Sequence, residues 1–127
     1  MYAVTISKAD EIKLWPLNWG YTSGSVSMHA NPITIDSYKI ELDFVKKCQI
    51  HTIKTENQRY KTILVFTDGI TIVITDKNFE IQKILSGIDC EDLYLIGSRS
   101  VVLGTINKAD KLYLWNITEI VNEMKEY

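Results

Sequence analysis

The stretch Thr5 to Leu17, TISKADEIKLWPL, recurs near the other end of the chain as Thr105 to Ile117, TINKADKLYLWNI. The two copies align without a gap, and 7 of 13 positions are identical. Between them, Phe66 to Asp76 (FTDGITIVITD) keeps the same outline, with an acid at Asp68 and Val73 where the other copies carry Trp. Each copy has a short apolar run, an acidic turn and an alternating run, a pattern that predicts one β-hairpin used three times.

Six positions define this repeat: Asp10, Asp68 and Asp110 in the turns, and Trp15, Val73 and Trp115 five residues after them. The last two turns are 42 residues apart, with about four predicted strands per period. The first two are 58 apart, which is one period plus an insertion. Strands in sets of four that repeat at about 40 to 45 residues are typical of β-propeller blades. We therefore predict a single all-β unit, 1–127, of antiparallel four-stranded blades with repeats ending near residues 17, 76 and 117.

The insertion is predicted to be a loop at 18–32, rich in Ser, Gly, Thr and Asn, with a weak strand around Val26 to Met28. Trp19 and Tyr21, beside Gly20, are candidate partner-binding residues in this loop. The alternative is that both aromatic side chains fold back over the core.

A short C-terminal helix is predicted over 118–127, because Ile117, Ile120, Val121 and Met124 follow the helical i, i+3, i+4, i+7 spacing. Thr118 is the expected N-cap. Ile120 and Met124 are the candidate partner-binding residues of this helix.

The charge of the chain argues against nucleic-acid binding as its main function. The net charge is −2 and the sequence pI is about 5.6, whereas nucleic-acid-binding domains are usually basic. Arg59 and Arg99 are the only arginines, so the sequence has no arginine cluster of the kind that binds phosphate or guanine. A modest basic stretch at 46–61 leaves nucleic-acid binding as a minor alternative.

The sequence indicates no catalytic, cofactor or metal chemistry. His29 and His51 have no cysteine or acid at metal-ligand spacing, and a structural zinc site needs four ligands. Neither a Gly-rich phosphate loop nor a nucleophile elbow is present. Cys48 and Cys90 lack metal-type or redox-type spacing and are predicted to be free thiols.

The sequence also predicts no membrane segment. No apolar run approaches the roughly 20 residues that span a bilayer. Asp10 and Glu11 interrupt the N-terminus where a secretory signal would be apolar. We expect the chain in the cytoplasm or the nucleus.

The unit Phe79 to Ile117 resembles a blade of the WD-repeat β-propeller family. A strand with Leu93 and Leu95 is followed by SVVLGT at 100–105 and LYLWN at 112–116. This order is similar to the inner strand, the middle strand and the Leu-Trp-Asp sequence of that family. The resemblance covers most of the chain, with degenerate motifs.

The chain departs from the family pattern at several positions. Trp115-Asn116 stands where the family has Trp-Asp, and Gly87-Ile88 stands where it has Gly-His. The turn acids lie five residues before Trp, against six in the family. The resemblance implies a hydrogen-bond network of His, Ser, Asp and Trp, to which Thr105 and Trp115 would contribute a part. It also implies that the tryptophans pack in the core or between blades.

About three blades account for the chain, whereas closed propellers have about four to eight. An incomplete set of blades leaves unpaired strand edges and apolar faces, which favour pairing with another chain. We expect a non-catalytic scaffold that pairs with protein partners by edge strands, by blade completion or by self-association, or else a fragment of a longer propeller. The alternative is a small self-contained β-barrel or sandwich that binds nucleic acid or a small ligand.

Overall fold

The computed structural model describes residues 2–19, 26–28, 32–54, 59–97 and 100–124, with only the backbone described at 17–19 and 26–28. Eleven strands, one 3₁₀ helix and one α-helix occur in these ranges. In chain order they are β1 (Tyr2–Ile6), β2 (Glu11–Trp19), β3 (Val26–Met28), β4 (Ile33–Asp36), the 3₁₀ helix (Ser37–Ile40), β5 (Lys47–Lys54), β6 (Tyr60–Thr67), β7 (Thr71–Thr75), β8 (Ile81–Ser86), β9 (Asp92–Ile96), β10 (Val102–Ile106), β11 (Leu112–Asn116) and α1 (Thr118–Glu123).

The strands form three antiparallel sheets. In the N-terminal sheet β2 pairs with β1 on one side and with β3 and β4 on the other. The central sheet has the order β5-β6-β7-β8, and the C-terminal sheet has the order β9-β10-β11. The all-β prediction with a short C-terminal helix is confirmed. The structure differs from the prediction of four strands per repeat, because the C-terminal sheet has three among the described residues and the chain continues into α1.

The central sheet is buried on both of its faces. On β6, Ile63 and Val65 face a cluster shared with the C-terminal sheet, whereas Leu64 and Phe66 face a second cluster shared with the N-terminal sheet. Successive side chains of a strand point to opposite faces, so a strand covered on both sides is apolar throughout. This is why residues 62–67 form a nearly continuous apolar run.

The two outer sheets cover the central sheet with one face each. Ile12 and Leu14 of β2 pack against it from the N-terminal side, together with Ile40 of the 3₁₀ helix. Leu93 of β9 and Leu103 of β10 pack against it from the C-terminal side. The fold is therefore a stack of three sheets with two apolar junctions.

Pro16 lies inside β2, where the strand changes its neighbour. The pairing with β4 ends at Leu14, and the pairing with β3 begins at Leu17. Proline has no N–H to donate to a ladder, so it fits the point between the end of β4 and the start of β3, while Tyr2 of β1 lies opposite it on the other side. Part of the predicted loop is therefore sheet, since Asn18 and Trp19 continue β2 against β3.

The hairpin turns of the two most similar repeats, at 5–17 and 105–117, have the same hydrogen bonds. Ser7 Oγ accepts from the backbone N–H groups of Ala9 and Glu11, each at 3.2 Å. Asn107 Oδ1 accepts in the same way, at 2.9 and 3.0 Å, from the residues two and four positions later. Asp10 and Asp110 have φ values of 59° and 58°, in the left-handed region that Asp tolerates better than most residues.

A third turn of this kind joins β7 to β8, outside the predicted repeat. Asp76 Oδ1 accepts from the N–H groups of Asn78 and Glu80, at 2.8 and 2.9 Å, and Phe79 has a φ of 61°. Phe79 is a bulky residue for that conformation, and it is held by burial near the Phe66 ring.

The Asp68 turn of the predicted repeat is tighter. Asp68 Oδ1 accepts from the N–H groups of Ile70 and Thr71, at 3.0 and 2.8 Å, and Gly69 has a φ of 108°. The sequence identified a hairpin at each of its three repeats. The same turn hydrogen bonds, however, are shared by the turns that begin at Ser7, Asp76 and Asn107, and the Asp68 turn differs.

Each repeat tryptophan is hydrogen-bonded to a threonine ten residues earlier. Trp15 Nε1 donates to Thr5 Oγ1 at 2.9 Å, and Trp115 Nε1 donates to Thr105 Oγ1 at 3.0 Å. Thr105 is fully buried, whereas Thr5 is exposed. The same local interaction therefore exists in two different environments.

We expect Thr105→Val to lower the free energy of unfolding by about 1–2 kcal/mol, because it leaves the Trp115 N–H without its acceptor beside a buried site. Thr5→Val is the matched control and should cost less than about 0.5 kcal/mol in a single copy of the chain, since water replaces the lost hydroxyl. Urea denaturation measures both. Equal losses of stability in the two variants would mean that burial does not strengthen the Trp115–Thr105 hydrogen bond.

Candidate protein-interaction surface

The C-terminal sheet turns an apolar face away from the rest of the molecule. The register places Tyr94, Gly104 and Leu114 side by side, with Ile96 and Leu112 in the neighbouring rows of the same face. Side chains on the other face, including Leu103, pack into the core. We call the first of these the outward C-terminal face.

The outward C-terminal face is exposed over much of its area. The exposed fractions of its large side chains are 64% for Leu114, 59% for Leu112, 58% for Ile96 and 43% for Tyr94. A Cβ placed at Gly104 would lie 3.6 and 3.7 Å from the ends of the Leu112 and Leu114 side chains. These two leucines therefore cover the glycine in the middle of the face.

The edge of the same sheet is open at β11. Within the described part of the chain, β11 pairs only with β10. An edge strand presents unpaired N–H and C=O groups along its length. An apolar face and an open edge therefore meet on one strand.

The outward face of the N-terminal sheet has a different character. It carries Ala3, Thr5, Lys13, Trp15 and Thr34, because the alternate residues of β1, β2 and β4 pack inward. The Lys13 ammonium lies 5.8 Å from the Trp15 ring centroid and 3.4 Å from the Glu11 carboxylate. This outward N-terminal face thus has an aromatic centre with polar neighbours.

Helix α1 packs onto the core and does not present its apolar face to solvent. Val121 and Met124 are buried in the cluster between the central and C-terminal sheets, and Ile120 is half-buried against it. The predicted partner-binding role of Met124 does not fit this burial, because the same apolar spacing that suggested a docking helix is satisfied within the chain. Helix α1 also begins at Thr118 without a side-chain cap.

Thr118 instead joins two segments. The Val101 N–H donates to Thr118 Oγ1 at 3.0 Å, and that hydroxyl donates to Asn116 Oδ1 at 2.6 Å. Both hydrogen bonds of the Thr118 hydroxyl are therefore made to residues next to β10 and at the end of β11.

The C-terminal end of α1 is held by a buried lysine of β6. Lys61 Nζ donates to the carbonyl oxygens of Val121 and Asn122, at 2.8 and 3.2 Å. The last carbonyl groups of a helix have no partner within the helix, and a cation favours that end of the helix dipole. No local pattern predicts this interaction, because the residues are about 60 positions apart.

Of the two candidate partner-binding residues predicted in the loop, only Trp19 lies in the described part of the chain. Trp19 is the last residue of β2, and its backbone is opposite Val26. Tyr21 lies outside the described residues, as does His29.

An open depression of about 570 Å³ lies at the turn end of the C-terminal sheet, lined by Glu91, Asp92, Ile106, Asn107, Lys108 and Asp110. Its acids are engaged locally. Lys46 Nζ donates to Glu91 Oε2 at 2.9 Å, which lowers the pKa of that carboxyl. Asp92 Oδ2 accepts from the Tyr94 hydroxyl at 2.9 Å, which raises the pKa of the phenol. The first contact links Glu91 to the segment before β5, and the second lies within β9.

Both cysteines are free thiols. Burial raises the pKa of Cys48, between the N-terminal and central sheets, to about 12. Burial also raises the pKa of Cys90, against a hydrogen bond with Thr67 that lowers it. Neither thiol has the lowered pKa of a reactive cysteine.

Searches against protein-family models, curated proteins and solved structures found no match to this chain. Over the described ranges, no group of three or more His, Cys, Asp or Glu side chains is placed to hold a metal ion. The one α-helix found in those ranges lacks the length and apolar character needed to cross a bilayer. Function therefore has to be inferred from the surfaces of the chain itself.

Lys61→Met should lower the free energy of unfolding by about 1–3 kcal/mol, because two helix carbonyl groups lose a charged donor in a buried site. Lys54→Met on the exposed end of β5 is the control and should change it by less than about 0.5 kcal/mol. Thermal denaturation of both variants measures the difference. An unchanged Lys61 variant would mean that apolar packing alone holds α1.

The free energy of unfolding should fall as the pH rises from about 9 towards about 12, because the Cys48 thiol stays protonated when folded and ionises when unfolded. Below the ordinary pKa this contribution is fully present. Urea denaturation at pH 7 and pH 10 measures the decline, and Cys48→Ala should reduce it. If the wild type and the Cys48→Ala variant lost the same stability between pH 7 and pH 10, other titrating groups would be responsible for the loss.

Proposed function

We propose that the chain is a non-catalytic scaffold whose three sheets are blades of an incomplete propeller and whose outward C-terminal face binds a protein. The observation that carries this proposal is the row of exposed apolar side chains on that face, formed by Tyr94, Ile96, Leu112 and Leu114. The Trp115–Thr105 hydrogen bond supports the resemblance to propeller blades.

A protein partner fits this face better than nucleic acid or a small ligand does. A contiguous exposed apolar patch on a polar protein marks an interaction site. The strand register places no lysine or arginine on this face and puts the acid Asp92 at one end of it, so the face offers nothing to a phosphate backbone. It is also a sheet surface rather than a cleft of the kind that encloses a small ligand.

The open edge of β11 supports the same proposal. A strand from another chain added beside β11 satisfies its backbone groups and extends the apolar face by one strand. Blade completion and face-to-face docking both use Leu112 and Leu114.

Photo-crosslinking in cells tests this proposal. A benzophenone amino acid in place of Leu114 should give a discrete crosslinked protein band after irradiation. The same replacement of Ile70 is the control, since Ile70 is 63% exposed but lies in the β6–β7 turn, away from the face. No band at position 114, or equal bands at both positions, would contradict the proposal.

A further inference from the structure

We propose that the partner on the outward C-terminal face is the outward N-terminal face of a second copy of this chain, and that two copies close a ring of six sheets. This inference rests on the proposed scaffold function and names its partner. It follows from the way in which the chain builds its own two junctions.

Each sheet has one face that carries the repeat position, and we call it the repeat face. Trp15, Val73 and Trp115 mark the repeat faces of the N-terminal, central and C-terminal sheets. Phe66 lies opposite Val73, and Leu103 lies opposite Trp115, so these residues belong to the same faces. The other side of each sheet is its reverse face.

Both internal junctions pair a reverse face with the repeat face of the next sheet. In the first, Ile12 and Leu14 of the reverse N-terminal face pack against Phe66 and Val73 of the central repeat face. In the second, the reverse face of the central sheet packs against the repeat face of the C-terminal sheet. In this second junction, Ile63, Val65, Ile72 and Ile74 of the central sheet pack against Leu103 and Trp115 of the C-terminal sheet.

Two faces are left without a neighbour in the described structure, and they are of opposite type. The outward C-terminal face is a reverse face, and the outward N-terminal face with Trp15 is a repeat face. A third junction between them continues the same order, from the C-terminal sheet of one copy to the N-terminal sheet of the next. The central sheet separates these two faces within one copy, so a second copy supplies the contact.

The area favours closure by two copies. A face of three strands and five residues covers roughly 250 Å², from strand spacings of about 4.8 Å and rises of about 3.3 Å. One junction therefore buries about 500 Å² in total, enough only for a weak contact, whereas two junctions bury about 1,000 Å², near the lower limit for a specific interface. Six sheets also lie within the four to eight blades of closed propellers.

The side chains of the two faces are suited to contact. Trp15 and Ala3 form an aromatic and apolar centre opposite the leucines of the outward C-terminal face, and Lys13 with Glu11 lies beside them. An apolar centre with a polar rim is the usual anatomy of a protein interface, and Trp and Tyr are its commonest anchors. Each junction joins two different surfaces, and the two-fold axis of the pair repeats it, so the contact of residue i with residue j recurs as j with i.

Light scattering of the purified chain, alone and in mixtures, tests the ring. The wild-type chain should have twice the mass of 14.6 kDa. Leu114→Lys and Ala3→Lys should each give the mass of one copy, because each blocks one face and so removes both junctions of a symmetric pair. Ile70→Lys is the control for an added lysine and should remain paired. Far-UV circular dichroism checks that all three variants are folded.

Mixing the two blocked variants gives the decisive result. An equimolar mixture of Leu114→Lys and Ala3→Lys keeps one intact junction, so at high protein concentration it should form a weak pair with one copy of each, where neither variant pairs alone. That pair should dissociate at a concentration at least roughly tenfold higher than the wild type does, because it has half the buried area.

Four outcomes would overturn the ring. The ring is wrong if the wild-type chain has the mass of one copy. If position 114 nevertheless crosslinks to a different protein, the scaffold proposal stands. No crosslink and a single mass would sink both proposals. Pairing that Leu114→Lys abolishes and Ala3→Lys does not would mean contact between two C-terminal sheets or strand addition at β11. A mass that grows continuously with concentration would mean an open head-to-tail chain.

Discussion

The central sheet is buried on both faces, and the rest of the structure depends on that constraint. Ile63 and Val65 require one apolar neighbour, and Leu64 and Phe66 require another, so a sheet must lie on each side. The N-terminal and C-terminal sheets satisfy this requirement with one face each. Each outer sheet then has a second face for which the chain provides no cover among the described residues, and the two uncovered faces differ in polarity.

The repeated hairpin is a local unit that the chain uses in different surroundings. Its turn depends on a side-chain acceptor that holds two backbone N–H groups and on a residue with positive φ, as at Ser7 with Asp10 and at Asn107 with Asp110. Its strands are joined by the Trp–Thr hydrogen bond. In the C-terminal sheet that bond faces the core, and in the N-terminal sheet it faces outward. One short sequence therefore serves as interior in one sheet and as surface in the other.

The positions of these faces lead from the fold to the proposed function. The proposed interaction surface is the end of the stack where an apolar face and an open edge strand meet, at Leu112 and Leu114. Helix α1 is not part of this surface, since Lys61 and the core hold it against the chain. Two acids of the open depression, Glu91 and Asp92, likewise make their contacts within the chain, with Lys46 and Tyr94. The proposed protein binding therefore uses the ends of the stack.

The sequence by itself determined the hairpins, the turn positions and the short terminal helix, because these depend on residues within about ten positions of one another. It also indicated the doubly buried strand through its unbroken apolar run. It did not distinguish Leu114 from Leu103, since both alternate in apolar strands of the same hairpin and only the stacking order decides which face is covered. The contact of Lys61 with α1 and the burial of Met124 likewise depend on segments that meet only after the sheets have packed. Local chemistry fixed the units, and the packing of the central sheet decided which of their faces remain available to a partner.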